Sequence, residues 1–156
     1  MVAAASAIVD EYDAVMAEAI ALAESCSDDE WRAMCASEQR TVGVLFDHVA
    51  TGNPQVVRWI NEFLAGRPIV ITPEILNSRN AEHAHQVQRR PRAETIDDLK
   101  KGTTTTSEFL GSLTKDQLGV RNEFGWAGPQ DVAWVASAAL RHPRGHLKSI
   151  REALGR

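Results

Sequence analysis

Cysteine is scarce in this chain: Cys26 and Cys35 are the only two among 156 residues. Two thiols at that spacing make neither a disulfide framework nor a Cys-x-x-Cys metal site. Reduced thiols in a cytoplasm are the simplest account of them. No base or cationic group is set beside Cys35, which argues against an activated nucleophile. Basic excess is missing too. Lys and Arg number 17 against 21 Asp and Glu, a net charge of −4, and nucleic-acid binding depends on neutralising phosphates with such residues. Long apolar runs are absent. The segment Met1 to Ala23 is rich in alanine but carries Asp10, Glu11, Asp13 and Glu18. A signal peptide needs a basic start and an unbroken apolar stretch, and a membrane helix needs a longer one. A cytoplasmic protein without nucleic-acid or membrane partners is therefore expected. Also absent are Gly-x-Ser-x-Gly, a phosphate loop, a dinucleotide fingerprint and His-Glu-x-x-His. Strand-forming sequence is nearly absent as well, since Pro68-Ile69-Val70-Ile71-Thr72 is too short to build a sheet alone.

What is present is helical periodicity. From about Val2 to Ser25, residues Ile8, Tyr12, Val15, Ala19 and Leu22 form an apolar stripe. A second segment, about Arg40 to Ala65, turns Val44, Leu45, His48, Val49, Val56, Ile60 and Phe63 or Leu64 inward. Gly52-Asn53-Pro54 is expected to kink or break it, and Gly66 to end it. Thr72-Pro73-Glu74 reads as a capped helix start, opening a short helix with Asn77, Asn80, Ala81, His83 and Ala84. A third long segment, about Ala93 to Leu113, turns Ile96, Leu99, Phe109, Leu110 and Leu113 inward. Its Thr103 to Thr106 run has low helix propensity, so packing must carry it. Phe124 to Pro129 reads as a loop. The last helix runs from about Pro129 to Leu154, with Val132, Val135, Ala139, His142, His146, Ile150 and Ala153 on one stripe. No repeat or linker interrupts the chain, so residues 1–156 read as a single domain. Its fold class is all-α: a four-helix bundle with a short extra helix between the second and third long helices.

The chemistry lies in the histidines. His142 and His146 are four apart, one turn along a helix face, in an otherwise apolar stripe. His48 sits in the apolar run Val44 to Ala50 and is the natural third ligand from a facing helix. Three imidazoles leave a divalent metal at least one open position, and imidazole suits zinc, nickel, iron or copper. Zinc or nickel is expected. Pro143 and Gly145 fall between the two histidines. Proline inside a helix costs roughly 3 kcal/mol, so the helix either kinks there or begins anew at Pro143.

Three motifs in register resemble a known family. They are Thr41-Val42-Gly43-Val44-Leu45-Phe46-Asp47-His48-Val49-Ala50, Asn77-Ser78-Arg79-Asn80-Ala81-Glu82-His83-Ala84, and Arg141-His142-Pro143-Arg144-Gly145-His146-Leu147-Lys148-Ser149-Ile150. Their order and spacing resemble the DinB-like superfamily, which includes the mycothiol-dependent maleylpyruvate isomerase-like proteins. The resemblance implies a four-helix bundle, commonly a homodimer. It also implies a divalent metal held by His48, His142 and His146, and for some members a transferase or isomerase reaction that uses a low-molecular-weight thiol.

Other residues are weaker candidates. Asn80 reads as a helix cap or as a group orienting a ligand. His83 and His85 face different sides of a helix and read as exposed polar residues, although His83 follows Asn80-Ala81 and is close enough in sequence to approach a pocket. Arg79 and Arg144 are solvated charges by default, or could hold a carboxylate bidentately. The tryptophans read as core or interface residues, with Trp126 placed to line a pocket mouth. No residue stands out as a general base, and the catalytic residues stay unassigned. Two functions compete: a metal-dependent thiol transferase or isomerase acting on a small electrophile, and a non-catalytic helical dimer that binds metal or a small ligand, for example in a stress response.

Overall fold

The computed structural model describes residues 3–156. The elements run α1 (Ala3–Ser25), α2 (Asp28–Arg32), a hairpin of β1 (Met34–Cys35) and β2 (Arg40–Thr41), and α3 (Val42–Leu64). Then come α4 (Pro73–Val87), α5 (Arg92–Ser112), α6 (Lys115–Leu118), a second hairpin of β3 (Arg121–Phe124) and β4 (Gly128–Asp131), and α7 (Val132–Leu154). The expected start of the first helix at Val2 lies outside the described residues. Helices α1, α3, α5 and α7 form the bundle, α3 and α1 each packing against both α5 and α7. The all-α four-helix bundle is the observed fold, and α4 is the extra helix, laid against α3.

Local chemistry sets the boundaries. Ser27 and Glu30 form a capping box at α2, and Thr114 with Gln117 forms another at α6. Thr41, Thr72 and Asp131 cap α3, α4 and α7 by accepting backbone N–H bonds from Val44, Ile75 and Trp134. Pro73 in the first turn of α4 has no N–H to leave unsatisfied. All four long helices contribute to one core, with Tyr12 and Met16 of α1, Phe46 and Ile60 of α3, Leu99 and Leu110 of α5, and Val135 and Ile150 of α7 almost fully enclosed. In the threonine run, the Thr103 hydroxyl donates to the Leu99 carbonyl at 2.7 Å and Thr106 is buried. Back-bonding and burial thus carry a stretch of poor propensity.

Three expectations are corrected. The loop read at Phe124 to Pro129 is the turn of the β3–β4 hairpin, with Phe124 opposite Gly128, and α7 starts at Val132 because Asp131 caps it. Ile69 bridges to this hairpin, donating to the Glu123 carbonyl at 2.9 Å and accepting from Gly125 N–H at 2.8 Å. Gly125 has φ of +36°, and a Cβ there would sit 2.2 Å from the Ile71 carbonyl oxygen; the turn needs glycine for both reasons. Second, Gly52-Asn53-Pro54 does not break α3. Burial of Val49, Val56, Ile60 and Phe63 on both sides of Pro54 outweighs one lost hydrogen bond. Third, α7 does not begin at Pro143 but runs through it, and the buried Pro143 is flanked by Leu140 and Leu147 in the same core. Among the described residues no helix is long and apolar enough to cross a membrane.

Candidate metal centre

His48 projects from α3 towards α7, where His142 and His146 stand one turn apart. The ring centroids lie 4.6 Å apart for His48 and His142, 4.8 Å for His48 and His146, and 4.7 Å for His142 and His146. One ring nitrogen from each falls within 4.8 Å of the other two. The His48 and His142 Nε2 atoms face each other at 2.9 Å, a few tenths of an ångström inside the spacing of about 3.3 Å that two imidazole nitrogens adopt on one tetrahedral ion. All three side chains are half-buried. Burial, reinforced by the neighbouring imidazoles, pushes the His48 pKa down to about 2, and burial with His146 pushes that of His142 down to about 4. Both rings are therefore neutral at physiological pH, the state in which imidazole ligates a metal.

Two features fix the rings. Gly52 lies beneath His142, and a Cβ on it would come within 2.7 Å of the Cε1 and Nδ1 atoms of that ring. The imidazole occupies the space a side chain would fill. His146 Nδ1 lies 2.9 Å from the Glu38 carboxylate. A carboxylate only accepts, so the His146 nitrogen that donates is Nδ1, and Nε2 is the atom turned to a metal, the orientation that carboxylates impose on metal-bound histidines. Glu38 stands in the turn between β1 and β2, next to Gln39, whose φ is +54°. The three-imidazole donor set, the neutrality of His48 and His142, and this carboxylate–histidine pair fit a divalent cation.

Beside the cluster lies a second network. Asp47 is buried and accepts from His83 Nε2, Arg90 Nη1 and Thr95 Oγ1, each at 2.8 Å. Burial alone would raise its pKa, but the bonds from His83, Thr95 and Arg90 outweigh it and hold the carboxyl below its ordinary value. His83 is thereby drawn inward, its ring 5.9 Å from that of His48 and its buried Nδ1 without a partner.

With this arrangement in view, the family is decided by one comparison: the family model described as DinB superfamily matches residues 11–150. The chain belongs to the DinB superfamily. No curated protein and no solved structure matches it. In this DinB-superfamily chain His48 sits on the second long helix, and His142 and His146 on the fourth.

The three histidines line a cavity of about 500 Å³ bounded by α3, α4, α7 and the β3–β4 hairpin. Phe124 forms the centre of an aromatic wall, edge-on to Trp59, Trp126 and Trp134 at 5.1 to 5.3 Å between ring centroids. Asn80, His83 and Trp126 all line this cavity. Asn80 lies inside α4 and caps nothing, because Thr72 does that. His83 is corrected from an exposed residue to a part-buried partner of Asp47, whereas His85 is exposed as expected. Trp126 is 49% exposed, at the rim. Arg144 lies elsewhere, on the outer face of α7, paired with Glu11 of α1 at 2.9 Å. Cys26 and Cys35 are free and buried, and burial followed by Glu38 pushes the Cys35 thiol up to about 11. Glu38 and Asp47 escaped sequence reasoning. Glu38 sits in a polar turn without periodicity, and its only sequence signal is position, ten residues before His48.

Proposed function

We propose that this DinB-superfamily protein is a metal-dependent enzyme that joins a low-molecular-weight thiol to a small electrophile, as a transferase or isomerase. The observation that supports it is the convergence of three imidazoles at one end of an apolar cavity, one of them oriented by Glu38. His48, His142 and His146 would hold the ion, zinc or nickel by ligand type. A divalent ion supplies Lewis acidity, which makes a thiolate available at neutral pH. The protein's own residues do the rest. Gly52 and Glu38 hold two of the rings in place. The aromatic wall excludes water and shelters the electrophile. His83 lines the cavity and is held in place by donating its Nε2–H to Asp47. A cytoplasmic setting, in which small thiols are abundant and Cys26 and Cys35 stay reduced, belongs to the same proposal, as does the homodimer implied by the resemblance.

The test is thiol-dependent consumption of an electrophile such as 1-chloro-2,4-dinitrobenzene by zinc- or nickel-loaded protein, with chelator-treated protein and a His142→Ala variant beside it. Turnover that needs both metal and His142 supports the proposal. Metal bound without turnover across a panel of thiols and electrophiles favours the second reading, a small-ligand-binding protein, which rests on the size and apolar lining of the cavity.

A further inference from the structure

Arginines gather around the cavity. Off it, Arg32, Arg67, Arg90, Arg92, Arg144, Arg151 and Arg156 each form an ion pair with an aspartate or glutamate, while Arg58, Arg89 and Arg121 form none among the described residues. Three arginines line the cavity: Arg40 from β2, Arg79 from α4 and Arg141 from α7. Among the described residues, none of the three has a carboxylate within ion-pair distance. Arg141 lies over the Trp134 ring, its Cζ 5.0 Å from the centroid, and donates to Ser137. Glu38 is the acidic residue on the cavity wall, and His146 already engages it. A chain of net charge −4 thus places three guanidinium groups, from three separate elements, around a space floored by indole and phenyl rings.

Guanidinium binds carboxylate bidentately, and the bond strengthens where apolar walls exclude water. Indole and phenyl edges favour a flat, unsaturated body. A volume of about 500 Å³ lies within the range of small-molecule sites, roughly 300 to 1,000 Å³. We propose that the cavity takes a planar aromatic carboxylate, its ring against Phe124, Trp59 and Trp134 and its carboxylate held by Arg79 and Arg141, with Arg40 adding positive charge from the histidine side. This names the substrate class of the proposed enzyme and rests on the reading of the cavity as its substrate site.

The experiment is calorimetric titration of chelator-treated, full-length protein with naphthalene-2-carboxylate and with its neutral isostere naphthalene-2-carboxamide. The carboxylate is expected to bind roughly tenfold tighter, the lower end of the range for charge-assisted hydrogen bonds, because Arg79 and Arg141 are exposed. Arg79→Gln with Arg141→Gln should abolish that preference while leaving carboxamide affinity unchanged. Arg121→Gln, an exposed arginine off the cavity, should leave the preference as it was. Equal affinity for the two probes, binding of neither, or a preference that survives the double substitution overturns the proposal. Because the chelated protein carries no metal, failure of the metal assignment leaves this result unaffected, and failure here leaves the metal assignment standing.

Discussion

Replacing Gly52 with alanine separates the fold from the site. A Cβ at position 52 would approach His142 Cε1 and Nδ1 to 2.7 Å, well inside van der Waals contact, and the imidazole on its short stem must give way. Displacing it by about 0.5 Å or more exceeds what a metal-ligand constellation tolerates. The backbone effect has the opposite sign, because alanine in a helix interior is favoured over glycine by about 1 kcal/mol. Gly52→Ala should therefore leave thermal stability within about 1 kcal/mol of the parent, a shift in Tm of roughly 2–4 °C at most for a chain this size. Zinc affinity should fall at least about tenfold, the scale on which misplaced ligand orientation acts. Gly145→Ala is the control. It lies between His142 and His146 on the same helix, yet its Cβ would have nothing within 4 Å, so it should gain about 1 kcal/mol of stability and leave zinc affinity unchanged. Competition against a chromogenic chelator reads affinity, and far-ultraviolet circular dichroism reads Tm. Undiminished zinc affinity in Gly52→Ala, with the fold intact, would refute the claim that the glycine gap seats His142.

Other outcomes follow from the same geometry. Glu38→Gln should lower metal affinity about 10- to 100-fold without unfolding the chain, since it frees the His146 tautomer; equal affinity in a competition assay would remove Glu38 from the site. Asp47→Asn should destabilise by about 2–4 kcal/mol in urea unfolding, because a buried carboxylate bonded to His83, Arg90 and Thr95 is lost; a change below about 0.5 kcal/mol, the scale of an ordinary surface substitution, would contradict that network. For metal-free protein, the folded His142 titrates near 4 and the unfolded one near 6.5, so the unfolded state takes up its proton first as pH falls. The stability this ring contributes is whole above about 6.5 and drains away towards pH 4, by at most about 1.36 kcal/mol per pH unit. The shift of His48 acts in the same direction and extends the window lower. Stability that stays flat between pH 6.5 and 4.5 in urea titrations would show that these rings are not held neutral.

The long helices were legible because their buried faces recur at helical spacing. Ile60 and Phe63 of α3, and Val135, Ala139 and Ile150 of α7, all lie in the core where the stripe placed them. Caps at Thr72 and the stop at Gly66 follow from single-residue chemistry. The histidine cluster was legible for the same reason, as a polar interruption of two apolar stripes. Pro54 and Pro143 misled because local propensity is weak against packing on both sides of a helix interruption. The β3–β4 hairpin was missed because four-residue strands with glycine and proline at the turn resemble a loop, and the bridge from Ile69 and the aromatic packing on Phe124 help to hold it; the β1–β2 strands, two residues each, are too short to leave an alternating pattern. Asp47 was hidden by its context: a carboxylate in an apolar run becomes intelligible only once His83, Arg90 and Thr95 arrive from 36 to 48 residues away.

The central claim is that His48, His142 and His146 together hold one divalent ion. Elemental mass spectrometry on untagged protein, beside a variant carrying His48→Ala and His142→Ala, tests it most directly. Close to one equivalent of zinc or nickel per chain, lost in the folded variant, is the expected result. No metal in the parent protein after incubation with either ion, or equal metal in the variant, would contradict the account.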